Sequence, residues 1–414
     1  MLNEVFPKGS SRYLALPLLG AVAEDFDTWL STQGYQQRTR RQRAHAVARI
    51  DRDLRRRGQR QWQTLRQADL EACYVRYRQR DPKAAATVHT LLRFLQARGL
   101  VTVAPPAVTR VATLAKIYGA ALHDLRGLAL ATVQQHVTTA EQFLAHLDYE
   151  VRPDGLAALT AADVEAFVRA AGRRLSRATL QHRVAQLRSF LRFLAAHGRA
   201  STGLDGQIDT PRVYRQEQLP RSLPWPIVRQ LLQSMDRRTP RGLRDYTMLF
   251  LIATYGLRAS EVVALTLDTI DWRGRRLHVP LRKAGTPLVL PLTDAAATVL
   301  LRYLRRGRPW SPHRELFLRH RAPAGRLERT AVTDVFQKWV RRSGLPIPFH
   351  GPHCLRHSYA VALLRRGVGL KTLGDLLGHR TAESTCAYLR LATDDLREVA
   401  LAVPNSRATA RARR

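Results

Sequence analysis

Apolar residues recur at helical spacing through the first half of the chain. Val47, Ile50 and Leu54 fall on one face of a helix, and Ala140 and Phe143 repeat part of that spacing further along. Apolar residues at positions i, i+3, i+4 and i+7 are typical of an amphipathic helix that buries one stripe against a core. The pattern therefore predicts that the first half is entirely helical.

The same helical pattern occurs twice, which indicates two related units. Residues of one segment match residues of the other at a constant spacing, namely Thr39, Val47, Ile50 and Leu54 with Thr132, Ala140, Phe143 and Leu147. In each copy an aspartate, Asp69 or Asp163, lies at the start of the next helix, where its carboxylate suits an N-cap or first turn. Both copies end in Leu-Arg-Phe-Leu and a nearby glycine, Gly99 or Gly198, which is placed to end a helix. We favour a duplication over a chance match of two generic amphipathic segments.

The second half begins after a proline-rich stretch, and its pattern is different. Residues 206–226 contain four prolines and have the composition of an extended connector. Beyond it, helical segments are interrupted by two short apolar runs, residues 277–280 and 288–291, on either side of Gly285. This arrangement predicts a β-hairpin. The chain is therefore expected to be mainly α, with a small β-hairpin in its C-terminal domain.

The charge of the chain points to a class of partner. Its 414 residues include 68 Lys and Arg against 33 Asp and Glu, a formal net charge of +35, although 45% of the residues are apolar, as in a globular protein. Such a balance attracts polyanions, so nucleic acid is the expected partner. The alternative is that the arginines merely cover solvated helix faces. One dense basic stretch is expected to contact phosphates without reading base sequence: Arg40, Arg41, Arg43, Arg49, Arg55, Arg56 and Arg57.

Cysteine usage and hydropathy exclude several other classes. The three cysteines lie far apart without a Cys-x-x-Cys pair: Cys73, Cys354 and Cys386. Neither a disulfide framework nor a zinc knuckle is indicated, and a reducing cytoplasm fits. The apolar run at residues 13–22 is similar to a signal peptide, but Pro17 interrupts it and Glu4 lies where basic residues would be expected. No other run approaches the length of a membrane span.

Four segments of the second half carry polar residues suited to phosphate chemistry. In the first, Gly256 separates two predicted helices and Arg258 lies at the start of the second. A guanidinium there can bind two phosphate oxygens while the helix N-terminus adds favourable potential. A surface ion pair between Arg258 and Glu261 is the alternative interpretation.

The other three segments supply histidines, a second arginine and a tyrosine. His353 and Arg356 share one helical face that could bind a phosphate, while His379 follows a glycine and Tyr388 comes later. Taken singly, His379 and Tyr388 would be a structural histidine and an aromatic core residue. Three neighbouring histidines also allow a zinc interpretation: His350, His353 and His357. No carboxylate or further cysteine follows at helical spacing to complete that zinc site.

In this order, across residues 219–391, the segments resemble the conserved boxes of the tyrosine recombinase or phage-integrase family. The family patterns are Thr-Gly-Leu-Arg-x-Ser-Glu, His-x-Leu-Arg-His, Leu-Gly-His and a terminal Tyr, and Tyr255 is a departure from the first of them. The resemblance assigns the catalytic residues: Arg258 and Arg356 as a phosphate clamp, His353 and His379 as its hydrogen-bonding companions, Lys283 as the hairpin lysine and acid, and Tyr388 as the nucleophile. Arg282 competes with Lys283 for the hairpin position.

The resemblance also implies the fold and the reaction. Two N-terminal helical core-binding-like (SAM-like) units would grip DNA, and a C-terminal tyrosine-recombinase catalytic domain would cleave it. The expected boundaries are residues 1–105 for an N-terminal helical DNA-binding unit, 112–205 for a second core-binding domain, 206–226 for a linker, 227–404 for the catalytic domain and 405–414 for a basic tail. Tyr388 would form a covalent 3′-phosphotyrosine with His353 assisting its deprotonation, and no metal, cofactor or ATP would be needed.

The implied function is site-specific recombination of double-stranded DNA, in the integration or transposition of a mobile element in a bacterial cytoplasm. A homotetramer or a mixed recombinase assembly on DNA is expected, with residues 391–404 as a docking segment and no membrane partner. Two alternatives remain, a non-catalytic sequence-specific DNA-binding regulator and a strand-nicking enzyme similar to type IB topoisomerases. The intact set of polar residues argues against the first, and the two N-terminal units argue against the second.

Overall fold

A computed structural model describes residues 1–101, 108–214, 219–280, 287–379 and 381–391. These residues form two compact units, one that combines residues 1–101 with residues 219–391 and one that holds residues 108–214. Among the helices in these ranges, none has the length and apolar content needed to cross a bilayer.

The N-terminal segment is a helical bundle with its own core. Its α-helices are α1 (Leu2–Val5), α2 (Ser11–Leu14), α3 (Gly20–Thr32), α4 (Gln37–Arg56), α5 (Gln67–Arg80) and α6 (Pro82–Ala97), with a 3₁₀ turn at Trp62–Thr64. Phe26, Ile50, Leu70 and Phe94 are buried at the centre, where one apolar stripe from each of the four longer helices meets the others.

The unit formed by residues 108–214 is a second bundle with a separate core. Its α-helices are α7 (Arg110–Asp124), α8 (Leu130–His146), α9 (Ala161–Gly172) and α10 (Arg177–Ala196), with a 3₁₀ turn at Pro153–Leu156. Tyr118, Phe143, Phe167 and Phe190 fill its interior. The aromatic rings of Tyr118 and Phe190 pack with their centroids 5.0 Å apart.

The two bundles repeat one helical plan, which confirms the prediction of two helical units. Helices α3 to α6 correspond to α7 to α10, and residues matched by the sequence pattern are buried in pairs: Val47 with Ala140, Ile50 with Phe143 and Leu95 with Leu194. In both third helices the predicted aspartate accepts a backbone N–H, Asp69 from Arg66 at 2.9 Å and Asp163 from Thr160 at 3.0 Å. The common origin of the two bundles stays a prediction.

Five of the seven arginines in the basic stretch are held by neighbouring protein groups. Arg40 is only 6% exposed, and its guanidinium binds the buried carboxylate of Asp27 at 2.5 Å. Other members of the stretch hold neighbouring protein groups: Arg41 donates to the carbonyl of Val5, Arg43 to that of Ala86, and Arg49 and Arg55 pair with Asp81 and Asp51. In the described part of the chain, Arg56 and Arg57 are exposed and have no ion-pair partner.

Arg40→Ala is expected to destabilise the N-terminal bundle by about 3 kcal/mol, because it leaves the Asp27 carboxylate buried with its main partner removed. Arg57→Ala, at the exposed residue directly after α4, is the matched control, and it should change the free energy of unfolding by less than about 0.5 kcal/mol. Urea unfolding followed by circular dichroism measures both variants. Equal stability of the two variants would contradict the structural role of Arg40.

The C-terminal segment is mainly helical around a small sheet. Its elements are α11 (Trp225–Gln233), α12 (Pro240–Tyr255), α13 (Ala259–Ala264), β1 (Ile270–Asp271), β2 (Arg276–Val279), β3 (Leu288–Pro291), α14 (Asp294–Arg306), α15 (Arg329–Ser343), α16 (His353–Leu364), α17 (Leu370–Leu377) and α18 (Ala382–Cys386). Short 3₁₀ turns lie at Leu267–Thr269 and Leu389–Leu391. The elements surround a large apolar core in which Leu277, Phe336 and Leu355 are fully buried.

The sheet contains the predicted hairpin strands and one further strand. Its order is β1-β2-β3, all antiparallel, and Leu277 pairs with Leu290 in the register of β2 and β3. The mainly α fold with a small hairpin is therefore confirmed, while β1 was not predicted. The connection between β2 and β3, which includes Arg282, Lys283 and Gly285, lies outside the described residues.

Candidate active site

A glycine turn positions the first arginine of the site. Helix α12 ends at Tyr255 and is followed by Gly256, whose φ of +64° is in the left-handed region. A Cβ at Gly256 would lie 2.5 Å from the ring of Tyr359. Only glycine meets both conditions without strain. The turn leads directly to Arg258, which precedes α13, and the carboxylate of Glu261 accepts both the backbone N–H and Nη1 of Arg258 at 2.8 Å.

The second arginine is almost completely buried beside the first. Arg356 is 2% exposed, and its Nη1 donates to the carbonyl of Gly256 at 2.5 Å, while Nη2 donates to the carbonyl of Leu377. The Glu261 carboxylate lies 4.0 Å from Arg356 Nη1 and is itself 1% exposed. A buried cation is tolerated only when it is paired and hydrogen-bonded, and Glu261 supplies this compensation for both arginines.

The end of α17 also holds both guanidinium groups. Nη2 of Arg258 donates to the carbonyl of Gly378 at 3.4 Å, one residue after the carbonyl that receives Arg356. Carbonyls at a helix C-terminus lack intrahelical partners and carry partial negative charge, so they attract cations. The two arginines therefore share one scaffold, made of a buried carboxylate and a helix end.

The side chain of Tyr388 lies inside the same region. It is 3% exposed, and its ring stacks on that of His379 with the centroids 6.2 Å apart and the planes 9° apart. Its hydroxyl forms a hydrogen bond of 2.9 Å with Nδ1 of His357. Burial raises the pKa of the Tyr388 phenol, and the positive charges of Arg356 and Arg258 oppose that rise.

Three imidazoles line the approach to this tyrosine. Desolvation, reinforced by the charges of His353 and Arg356, lowers the pKa of His357 to about 3, so this ring is neutral at pH 7. His353 packs edge-on against His357 at 4.4 Å; its own pKa is lowered by desolvation and then by the two arginines, although its side chain reaches the surface. Nδ1 of His379 forms a hydrogen bond of 2.9 Å with the hydroxyl of Thr385. A cavity of about 360 Å³ opens beside His353, His357 and Tyr388.

The structure brings together five of the six residues that the sequence singles out. They are Arg258, His353, Arg356, His379 and Tyr388. Lys283 lies outside the described residues, and the individual catalytic roles stay predictions. Within the described ranges, no group of three or more His, Cys, Asp or Glu side chains converges as a metal site requires, so the zinc interpretation gains no support.

For two residues of the site, Glu261 and His357, the sequence suggested a different role. Glu261 could be read as half of a surface ion pair, yet it is buried between two guanidinium groups. His357 entered only the zinc interpretation, yet it is the hydrogen-bond partner of the Tyr388 hydroxyl. The available signals were the spacing of Glu261 from Arg258, and the position of His357 one helical turn after His353.

His357→Gln is expected to make the fold less sensitive to acid. The unfolded chain protonates this imidazole below its ordinary pKa of 6.5, whereas the folded chain does so only near pH 3, so stability falls as pH drops through that window. Between pH 7 and pH 5 the wild type should therefore lose up to about 2 kcal/mol more than the variant. Urea unfolding at both pH values measures this difference. His278→Gln, at an exposed position of β2, should follow the wild type; identical pH dependence of the His357 variant and the wild type would contradict the prediction.

Comparison with known proteins places this site in a family. Residues 226–394 match the sequence profile of the phage integrase family, and residues 116–198 match that of the phage integrase N-terminal SAM-like domain. The putative integrase/recombinase y4rA of Sinorhizobium fredii is 35% identical, over 68% of this chain and 69% of its own length. The tyrosine recombinase XerD of Listeria innocua is 30% identical, over 66% of this chain and 92% of its own length.

Solved structures share the fold at low sequence identity. The site-specific recombinase XerH, in a post-cleavage complex with a palindromic difH substrate, aligns with a TM-score of 0.52 at 16% identity, over 70% of this chain and 83% of that one. The Tn1549 transposon integrase, in complex with a circular intermediate DNA, aligns with a TM-score of 0.53 at 15% identity, over 69% of this chain and 99% of that one. The family profile and the curated relatives together define a site-specific DNA recombinase. The chain belongs to the phage integrase family of tyrosine recombinases.

Proposed function

We propose that this recombinase cleaves and rejoins strands of double-stranded DNA through a covalent 3′-phosphotyrosine at Tyr388. The observation that carries the proposal is the shared scaffold of Arg258 and Arg356, whose charges act on the neighbouring Tyr388 phenol. A phosphodiester is an anion that repels nucleophiles, so its cleavage requires fixed positive donors at the non-bridging oxygens. The two guanidinium groups meet that requirement without a metal ion.

The reaction exchanges one phosphoester bond for another. The phenolic oxygen of Tyr388 attacks the phosphorus in line, a bond forms between them, and the bond to the 5′ oxygen breaks. The phenolic proton leaves to a neutral imidazole, for which His353 is the candidate. His357 forms a hydrogen bond with the hydroxyl, but its pKa of about 3 makes it a poor proton acceptor. The departing 5′ oxygen takes a proton from Lys283. Attack of a second strand's 5′ hydroxyl on the phosphotyrosine reverses the steps, so no ATP is required.

The burial of Tyr388 adds one requirement to this scheme. Its side chain is 3% exposed and its hydroxyl is bound by His357, so a DNA phosphate cannot reach the phenol in this arrangement. We infer that DNA binding uncovers Tyr388 by opening the neighbouring cavity, which is lined by His353, His357 and Ser384. The nucleophile is thereby kept from water and from other phosphates until a duplex is in place.

We propose that the biological setting is the integration or transposition of a mobile element. Two relatives support this setting: y4rA is described as a putative integrase/recombinase, and one structural neighbour is a transposon integrase. An assembly of four protomers, or a mixed assembly with another recombinase, would hold two duplexes. Residues 391–404 are the proposed docking segment, and beyond Leu391 this segment lies outside the described residues.

The proposal is tested with nicked duplexes that carry candidate element ends, incubated with the protein in EDTA. We expect a covalent adduct that survives denaturation, releases a strand with a free 5′ hydroxyl, and maps by mass spectrometry to the peptide of Tyr388. DNA binding without an adduct on every site would favour a regulator. Relaxation of any supercoiled plasmid, without site preference, would favour an enzyme similar to type IB topoisomerases.

A further inference from the structure

A second cavity in the C-terminal segment has a strongly basic lining. Its volume is about 470 Å³, and it lies between the start of α12, residues 319–323 and one face of α15. Six of its lining side chains are cationic: Arg241, Arg244, Arg319, Arg321, Lys338 and Arg341. Asp334 is the one carboxylate among the lining residues, and none of these residues belongs to the site that contains Tyr388.

Two of the six cations share one buried carboxylate of the protein. Arg244 pairs with the fully buried Asp245 at 2.7 Å and donates to the carbonyl of Leu318 at 3.0 Å. Lys338 donates from Nζ to the same aspartate at 2.5 Å, and the indole N–H of Trp339 donates to it at 3.1 Å. These interactions fix the inner wall of the cavity and neutralise one of its two positive charges.

The other four cations are not balanced in this way. Arg319 lies 3.9 Å from Glu328, at the limit of an ion pair. Over the residues that the structure describes, Arg241, Arg321 and Arg341 have neither an ion-pair nor a hydrogen-bond partner. Guanidinium groups that converge on one concave surface create a positive potential, which is stronger in a cleft than on an open face. The cavity is therefore suited to an anion.

A half-buried histidine with a buried Nε2 atom supplies independent support for a missing ligand. Nε2 of His320 is inaccessible to solvent, and among the residues described by the structure it has no hydrogen-bond partner. Desolvation, with the charges of Arg244 and Arg241, lowers the pKa of His320 to about 4, so the ring is neutral at pH 7. A neutral imidazole can donate from Nε2 to an anionic oxygen. An unsatisfied buried polar atom is rare in folded proteins and calls for such a partner.

We propose that this cavity is a second phosphate-binding site, separate from the cleavage site, which binds a backbone phosphate of nucleic acid. The inference rests on the proposed function to the extent that double-stranded DNA is the substrate. Arginine forks match the geometry of phosphate oxygens, which favours phosphate over other anions. The basic cavity holds the duplex and stabilises its position, while the residues around Tyr388 cleave the strand.

The salt dependence of DNA binding tests the site without requiring strand cleavage. Each phosphate contact adds about 0.9 to the slope of log K against log salt concentration. The cavity binds one backbone phosphate, so the double variant Arg321→Ala/Arg341→Ala should lower that slope by about 0.9, and Arg321→Ala alone should lower it by up to the same amount. Arg306→Ala, at an exposed arginine in the last turn of α14, is the matched control and should leave the slope unchanged. Slopes for both cavity variants equal to that of the control would overturn the site as a DNA contact.

The pKa of the His320 imidazole is a second measurement, and it would not change on DNA binding if the cavity had only a structural role. With ¹⁵N-labelled histidine, the pKa of His320 should rise from about 4 when a duplex is added, because a phosphate stabilises the protonated ring. Inorganic phosphate is the parallel probe. A rise with inorganic phosphate but not with DNA would overturn the nucleic-acid source, and no rise with either would overturn the phosphate site itself. Failure of the proposed function can be distinguished from failure of this second site, because in that case the wild-type protein would bind DNA normally and form no adduct.

Discussion

Tyr388→Phe is expected to abolish covalent attachment to DNA and strand exchange while the protein stays folded and binds DNA. The phenylalanine ring retains the packing of Tyr388 against Leu373 and His379, and only the hydrogen bond to His357 is lost. That loss should reduce stability by about 1 kcal/mol. Removal of the nucleophile itself should lower the cleavage rate by more than about 10⁴-fold.

Gel analysis of denatured products in EDTA measures the adduct, and gel shift measures binding in the same samples. Tyr359→Phe is the matched control, since it makes the same change at a half-buried tyrosine of α16 that contacts the turn at Gly256. The control should keep cleavage near the wild-type rate. An adduct that survives in Tyr388→Phe would assign the nucleophile to another residue, and equal loss in both variants would indicate a general effect of a missing hydroxyl in this core.

The helices of this protein can be predicted from sequence because the signal for them is local. Ile50 and Phe143 are both fully buried, and their apolar neighbours recur at helical spacing within one segment. The two longer strands are likewise marked by short apolar runs around a turn. Strand β1 has only two residues, and its pairing of Ile270 with Leu277 depends on a partner strand rather than on a pattern of its own.

The role of an arginine depends on partners that the local sequence does not show. Arg40 lies in a run of basic residues that favours contact with phosphates, yet its partner Asp27 comes from the preceding helix. The Asp27 carboxylate is 3% exposed, so Arg40 must stay inside to neutralise it. A run of arginines therefore predicts the net charge of a surface better than it predicts which of its members face solvent.

The sequence predicts which residues form the site better than it predicts the contacts between them. The order of the motifs selects Arg258 and Arg356, which the structure places around one helix end and one buried carboxylate, and Tyr388, which it places against His357 and His379. The hydrogen bond from Arg356 to Gly256 joins residues 100 positions apart, and the contact of His357 with Tyr388 spans 31 positions. Such contacts are products of tertiary packing, and no spacing rule within one helix indicates them.

Arg356→Lys is expected to lower the cleavage rate by about 10²- to 10³-fold, the range found when one donor to a developing oxyanion is removed. Lysine keeps the positive charge near Glu261, but it has a single ammonium group in place of the planar fork. It cannot hold the carbonyls of Gly256 and Leu377 as Arg356 does and at the same time direct a donor at a phosphate. Single-turnover cleavage of a nicked duplex measures the rate.

Arg356→Ala measures how much this residue contributes to stability, apart from its contribution to the cleavage rate. It leaves Glu261 without one of its two cations and two buried carbonyls without donors, so it should reduce stability by about 3 kcal/mol or more. Arg258→Lys is the matched comparison, since the Arg258 side chain is 22% exposed and its loss should cost much less stability for a similar loss of rate. Thermal unfolding should rank Arg356→Ala as the least stable of the three variants. Both lysine variants should stay folded, and their cleavage of DNA should be slow. Wild-type cleavage by a folded Arg356→Lys protein would show that the buried arginine supports the core and takes no part in the chemistry.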